Sequence, residues 1–144
     1  MKISFDKTNI DELKKIMHET CYPHDATLEA FEYFPENKTL KFKWSNPYYN
    51  NKAEFTLYDV EVLLEITGHF PGGGERDDVS LIYMSVEDDY SFLQSIIKHT
   101  GLTTDAEHIN NAIYFLIQMF TSREIHIAFG RGDLEVETLN KDNS

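Results

Sequence analysis

A single cysteine, Cys21, stands in 144 residues. That excludes an internal disulfide, and with it any fold that depends on an oxidising compartment. No apolar run approaches the roughly 20 residues that cross a bilayer as a helix. The first residues, Met1-Lys2-Ile3-Ser4-Phe5-Asp6, do not form the apolar segment of a secretion signal, so the expected location is cytoplasmic. Positive charge is scarce as well. Thirteen Lys and Arg against 25 Asp and Glu leave a net charge of −12. Nucleic acid and anionic membrane both demand a basic footprint, so neither is an expected partner. A basic protein is the partner this balance favours. Repeats, low-complexity blocks and linker-like stretches are absent. Residues 1–139 therefore read as one domain, and 140–144 as a frayed polar tail.

What is present is patterned hydrophobicity. Hydrophobic residues make up 41% of the chain and aromatics 13%, enough for a self-sufficient core. The clearest stretch runs from Asn111 to Leu139. Ile113, Phe115, Ile117 and Met119 alternate with Tyr114, Leu116, Gln118 and Phe120, which places the two sets on opposite faces of a strand. Both sets are mostly apolar, so this strand is expected to be covered on both sides. After Thr121-Ser122-Arg123 comes a second alternation, with Ile125, Ile127 and Phe129 set against Glu124, His126 and Ala128. Gly130-Arg131-Gly132-Asp133 reads as a turn, and Leu134 and Val136 then alternate with Glu135 and Glu137. The three strands form a C-terminal antiparallel meander.

Upstream, Thr8 or Asn9 is placed to cap a helix carrying Ile10, Leu13, Ile16 and Met17 on one face. It ends before Pro23. Ala26 to Phe34 and Leu40 to Trp44 form a hairpin around Pro35-Glu36-Asn37-Lys38. Residues 48–52 read as loop, and Phe55 and Leu57 open another strand. Residues 59–66 fit either a helical turn capped by Asp59 or a bulged strand. Residues 69–78, HFPGGGERDD, read as loop. Ile82, Met84 and Val86 alternate with Leu81, Tyr83 and Ser85. Asp88 or Asp89 then caps a helix with Phe92, Leu93, Ile96 and Ile97, and Gly101 lies just past its end. The fold class is α+β: a mostly antiparallel sheet of about five to seven strands with two short helices packed on it.

Candidate chemistry is thin. His24-Asp25 resembles the paired ligands of metal-dependent HD phosphohydrolases. Those enzymes are helical and need further ligands on helices, whereas this pair opens a strand and fits better a local pair bonded to backbone or to each other. Asp77 and Asp78 in the glycine-rich loop could add carboxylates to a metal site with His24 and Asp25. The same loop repels phosphate through Glu75, Asp77 and Asp78, and it lacks the Lys-Ser or Lys-Thr of a phosphate cradle. His18, His99, His108 and His126 are scattered and read as surface or capping residues. Cys21 has no partners in a nucleophile pattern, and no nucleophile elbow is present. No catalytic residue and no cofactor is expected.

The order of pieces carries a resemblance: His24-Asp25-Ala26 before a hairpin from Leu28 to Trp44, a strand ending in Tyr58-Asp59-Val60, and a final meander from Tyr114 to Val136. This pattern resembles small bacterial α+β domains, some of them similar to immunity proteins of polymorphic toxin systems. The resemblance implies a non-catalytic role in which an acidic protein covers a basic partner. The alternative expectations are a metal-assisted hydrolase built on His24, Asp25 and the loop carboxylates, and a structural module that self-associates through a sheet edge.

Overall fold

The computed structural model describes residues 1–67, 80–100 and 104–139. The glycine-rich stretch 69–78, with Asp77 and Asp78, lies outside the described residues, as does the 140–144 tail. The described chain runs β1 (Lys2–Asp6), α1 (Ile10–Thr20), β2 (Thr27–Phe34), β3 (Thr39–Asn46), β4 (Asn51–Tyr58), β5 (Val62–Thr67), β6 (Leu81–Glu87), α2 (Ser91–Thr100), β7 (Ile113–Met119), β8 (Arg123–Phe129) and β9 (Arg131–Thr138). The strands form two sheets, ordered β1-β9-β4-β3-β2 and β5-β8-β7-β6. Every pairing between them is antiparallel.

Alternation explains why the sheets meet. Leu40, Phe42 and Trp44 of β3, and Ala53, Phe55 and Leu57 of β4, are buried on one face of the first sheet. Ile113, Phe115, Ile117 and Met119 of β7, with Ile125, Ile127 and Phe129 of β8, join them from the second. Phe42 and Phe55 stack at 4.9 Å, and Phe55 meets Phe115 edge-on at 5.8 Å, an arrangement that adds to the area term. The outward face of the first sheet is charged: Lys43 lies opposite Glu54, and Glu135 opposite Lys2.

The helices cover what the sheets leave open. Leu13 and Met17 of α1 enter the inter-sheet core, each contributing about 1.5–3 kcal/mol by burial. Leu93 and Ile97 of α2 pack with Val62, Tyr114 and Ala128 on the other side of the second sheet. β7 is thus covered on both faces, as its two apolar sets anticipated.

The meander strands stand where the alternation placed them, and the third joins a different sheet. β7 pairs with β8, while β9 inserts between β1 and β4. The chain crosses between sheets twice, side by side, at β4–β5 and at β8–β9. Asp59 takes a φ of 56° at the first crossing. Gly130 forms the second, donating its N–H to the Tyr58 carbonyl at 3.0 Å. A Cβ on Gly130 would meet the Asp59 Cβ at 3.2 Å. Residues 59–61 are therefore the bend, and β5 is a strand rather than a helical turn.

Several local expectations are corrected. Asn9 does stand at the N-cap position of α1, and the side-chain cap lies one turn earlier, where the Asp6 carboxylate accepts from the Thr8 N–H at 2.8 Å and the Asp6 backbone N–H donates to Asn9 Oδ1. Neither Thr8 nor Asn9 caps the helix by side chain. These bonds hold the Asp6 carboxyl below its usual range, the Thr8 contacts first. Residues 2–6 form a strand that alternation over five residues was too short to announce. Asn51 and Lys52 belong to β4, not to a loop. Arg131 and Asp133 lie within β9, and only Gly130 turns. Gly132 is a packing glycine, since a Cβ there would lie 2.6 Å from the Phe5 ring and 3.0 Å from the Thr56 carbonyl. Register shifts near Glu29 and Ile82 are β-bulges. They explain the imperfect alternation of β2, and they leave Ile82 exposed while Leu81 and Met84 are buried. The described residues hold nine strands rather than five to seven, because β1 and the break at Asp59 each add one. None of their helices is long and apolar enough to cross a membrane.

Candidate functional site: a tyrosine-lined recess

The residues that follow α1 build the most distinctive surface. Cys21 is buried, and Pro23 forces the chain out of helix. Asp25 then adopts a φ of 62°, which Asp and Asn tolerate better than most residues. The connection from Tyr22 to Asp25 is held by Asn46, at the end of β3 and fully buried. Its Nδ2 donates to the carbonyls of Tyr22 at 2.7 Å and His24 at 3.1 Å. Its Oδ1 accepts from the Tyr48 N–H at 3.0 Å. One side chain thereby fixes the post-helix segment against the turn carrying Tyr48 and Tyr49. Asn51 adds a second tie, from its Nδ2 to the Thr20 carbonyl.

The segment is also fastened to the second sheet. Leu81 N–H donates to the Ala26 carbonyl at 2.8 Å, and Thr27 bridges Ser80. His24 Nδ1 lies 2.8 Å from the Ile82 carbonyl. A carbonyl only accepts, so Nδ1 carries the proton there. Ile82 stands at the register shift of β6, outside the β6–β7 pairing.

Tyr22 is the hub of the resulting surface. Its ring meets His18 at 5.3 Å, Tyr49 at 5.7 Å, Tyr83 at 5.8 Å and His24 at 6.3 Å. On one side of it a recess of about 370 Å³ is lined by Tyr22, His24, Asp25, Tyr48 and Tyr49. On the other side a recess of about 340 Å³ lies between α1 and β6, with Lys14, His18 and Tyr83 in its walls. Burial, with the neighbouring Tyr22 phenol, raises the Tyr83 phenol above its ordinary range. Tyr48 is 79% exposed and Tyr49 50%. Aromatic rings, one carboxylate and one imidazole together offer the chemistry of stacking, cation–π attraction and hydrogen bonding.

The sequence-nominated metal residues divide. His24 and Asp25 do stand together, with Nε2 3.4 Å from Oδ2. Asp77 and Asp78 fall outside the described residues. Among the described residues no group of three or more His, Cys, Asp and Glu is disposed to hold a metal ion. Burial pushes the Cys21 thiol up to about 11, which suppresses the reactive thiolate.

A second tyrosine–histidine constellation corrects the reading of His126 as a surface residue. It is 4% exposed, and Tyr114 is 3% exposed. The Tyr114 hydroxyl lies 2.6 Å from His126 Nδ1, and Nε2 lies 3.1 Å from Glu124 Oε1. The carboxylate accepts from Nε2–H, so Nδ1 accepts from the phenol. Phe92 of α2 covers the imidazole at 4.8 Å. Burial, then the charges of Glu87, Glu124 and Asp89, pushes the phenol up to about 12. The order carboxylate, imidazole, hydroxyl is that of a nucleophile relay, but side chains this enclosed leave no room for a substrate. It is a hydrogen-bonded part of the interior.

Reasoning from sequence missed Tyr22, Asn46, Tyr48 and Tyr49. One signal was visible: the Tyr48-Tyr49 doublet inside a polar turn, after Pro47 and before Asn50-Asn51. Comparison of the chain with protein-family models, curated proteins and solved structures finds no match.

Proposed function

We propose that the protein binds a basic protein partner through the surface around Tyr22, and that this binding is inhibitory in the manner of an immunity protein. One observation carries the reading: Tyr48 and Tyr49 are exposed to 79% and 50% on a frame pinned by buried Asn46. Exposed aromatic clusters on a rigid base mark interaction sites, because tyrosine offers large contact area at little cost in rotamer entropy. The net charge of −12 supports a basic partner, which such a field steers toward the surface.

The test is co-expression with the protein encoded immediately upstream. That protein should be toxic alone and neutralised in the pair. A photo-crosslinking residue in place of Tyr48 should join to it, whereas one in place of Thr56, on the charged outer face of β4, should not. An upstream product neither neutralised nor joined at position 48 would overturn the reading.

A further inference from the structure

The 370 Å³ recess has a more specific composition than a general contact surface requires. Three tyrosines, Tyr22, Tyr48 and Tyr49, share it with the carboxylate of Asp25. Tyrosine faces carry negative quadrupole potential, and a cation placed over them is attracted, the more so as water is excluded. Asp25 supplies a formal charge of the same sign and stays 41% exposed, so its oxygens are reachable. The nearest competitor is His24, whose Nε2 stands 3.4 Å from Asp25 Oδ2. Its other nitrogen is already committed to the Ile82 carbonyl.

We infer that this recess is a cage for one arginine side chain of the partner. The inference rests on the protein-binding reading above and names the group that reading leaves open. A guanidinium satisfies both features at once: it stacks flat on aromatic faces and donates in parallel to a carboxylate. A lysine ammonium could use the ring faces but would lack the planar match. The backbone beneath the recess is fixed before the ligand arrives. Asn46 holds the Tyr22 and His24 carbonyls on one side and the Tyr48 N–H on the other. Arginine therefore meets a fixed backbone and a Tyr22–Tyr49 ring pair already in contact, and less is lost to ordering.

The substitutions that test this are available without disturbing the core. Asp25→Asn removes the charge and keeps a residue type tolerant of the φ of 62° at that position. Tyr48→Ala and Tyr49→Ala remove exposed rings. The full chain is titrated with N-acetyl-arginine amide, N-acetyl-lysine amide and N-acetyl-citrulline amide, while the Tyr22, Tyr48 and Tyr49 ring resonances are followed by NMR. Arginine amide should give saturable shifts at these rings. Citrulline amide, of the same shape and uncharged, should bind at least about ten-fold more weakly. Each tyrosine removal should cost roughly two- to five-fold in arginine affinity, the range of an exposed cation–π contact. Asp25→Asn should weaken arginine and leave citrulline unchanged.

Equal response to arginine and citrulline, tighter binding of lysine, or arginine affinity unaltered in all three variants would overturn the cage. The two readings fail separately. If the upstream protein binds through position 48 and no arginine effect appears, the cage falls and the protein-binding reading stands. Arginine binding without any protein partner leaves the cage and removes that reading.

Discussion

Tyr22 with His18 and His24, and Tyr114 with His126, use the same two side-chain types in different surroundings. Around Tyr22 the rings contact one another and face water, and the polar atoms that fix them belong to Asn46, outside the ring cluster. Around Tyr114 the polar atoms of the rings bond to each other, and α2 closes over them through Phe92. The first arrangement leaves rings and a carboxylate open to solvent. The second consumes its own hydrogen-bonding capacity and stabilises the packing of α2 on the sheet. Residue type alone does not separate an open surface cluster from architecture. What separates them is whether the polar groups are spent internally.

That contrast can be broken at its strongest point first. Asn46→Ala should remove three hydrogen bonds and strand the Tyr22 and His24 carbonyls, at a cost of about 2–4 kcal/mol in urea denaturation. It should also release Tyr22 and Tyr49 from their shared ring environment, seen as loss of their mutual ring-current shifts. If stability falls by less than 1 kcal/mol or so, the site is not held by this pin.

The closed cluster should respond next in size. His126→Ala is expected to cost about 1–3 kcal/mol, since the Tyr114 hydroxyl loses its partner in the interior. Its pH dependence sharpens the comparison. The Tyr114 phenol lies near 12 in the folded protein against an ordinary 10.0. The folded state thus retains a proton that the unfolded chain gives up. Its contribution to stability is whole below about pH 10 and is lost as pH rises toward 12. Tyr114→Phe should lessen that alkaline loss, read as the slope of denaturation midpoint against pH between about 10 and 12. An unchanged slope would show that the phenol titrates alike in both states.

The smallest effect belongs to the open cluster. Tyr48→Ala should shift stability by no more than about 0.5 kcal/mol, because a ring 79% exposed has little burial to lose. A larger drop would mean that the surface around Tyr22 is architecture too, and the contrast with Tyr114 would vanish.

Legibility followed the same division. The alternation in β3, β7 and β8 was readable because a half-buried or doubly buried strand must repeat every two residues, and no bulge interrupts those segments. Leu28 and Ile82 sit beside bulges, where one extra residue reverses the phase, so pattern reading lost the correct face. His24 and Asp25 are neighbours in the chain, and their proximity was readable as such. Tyr22 and Tyr49 lie 27 positions apart, and nothing local announces that Asn46 draws their segments together. His126 was recoverable in principle. Once β7 is expected to be covered on both faces and to pair with β8, His126 falls on Tyr114's buried side.

Composition and periodicity were enough to establish an acidic, cysteine-poor chain, the strand character of residues 113–119, 124–129 and 134–137 and the amphipathic faces of α1 and α2, because each depends only on residues close in sequence. Tertiary structure alone decided that β9 leaves its neighbour's sheet at Gly130, that Gly132 must lack a side chain where Phe5 crosses it, and that three tyrosines and Asp25 share one recess. Those outcomes depend on which distant segments meet, and contacts of that kind are set by how sheets stack and bend rather than by any local pattern.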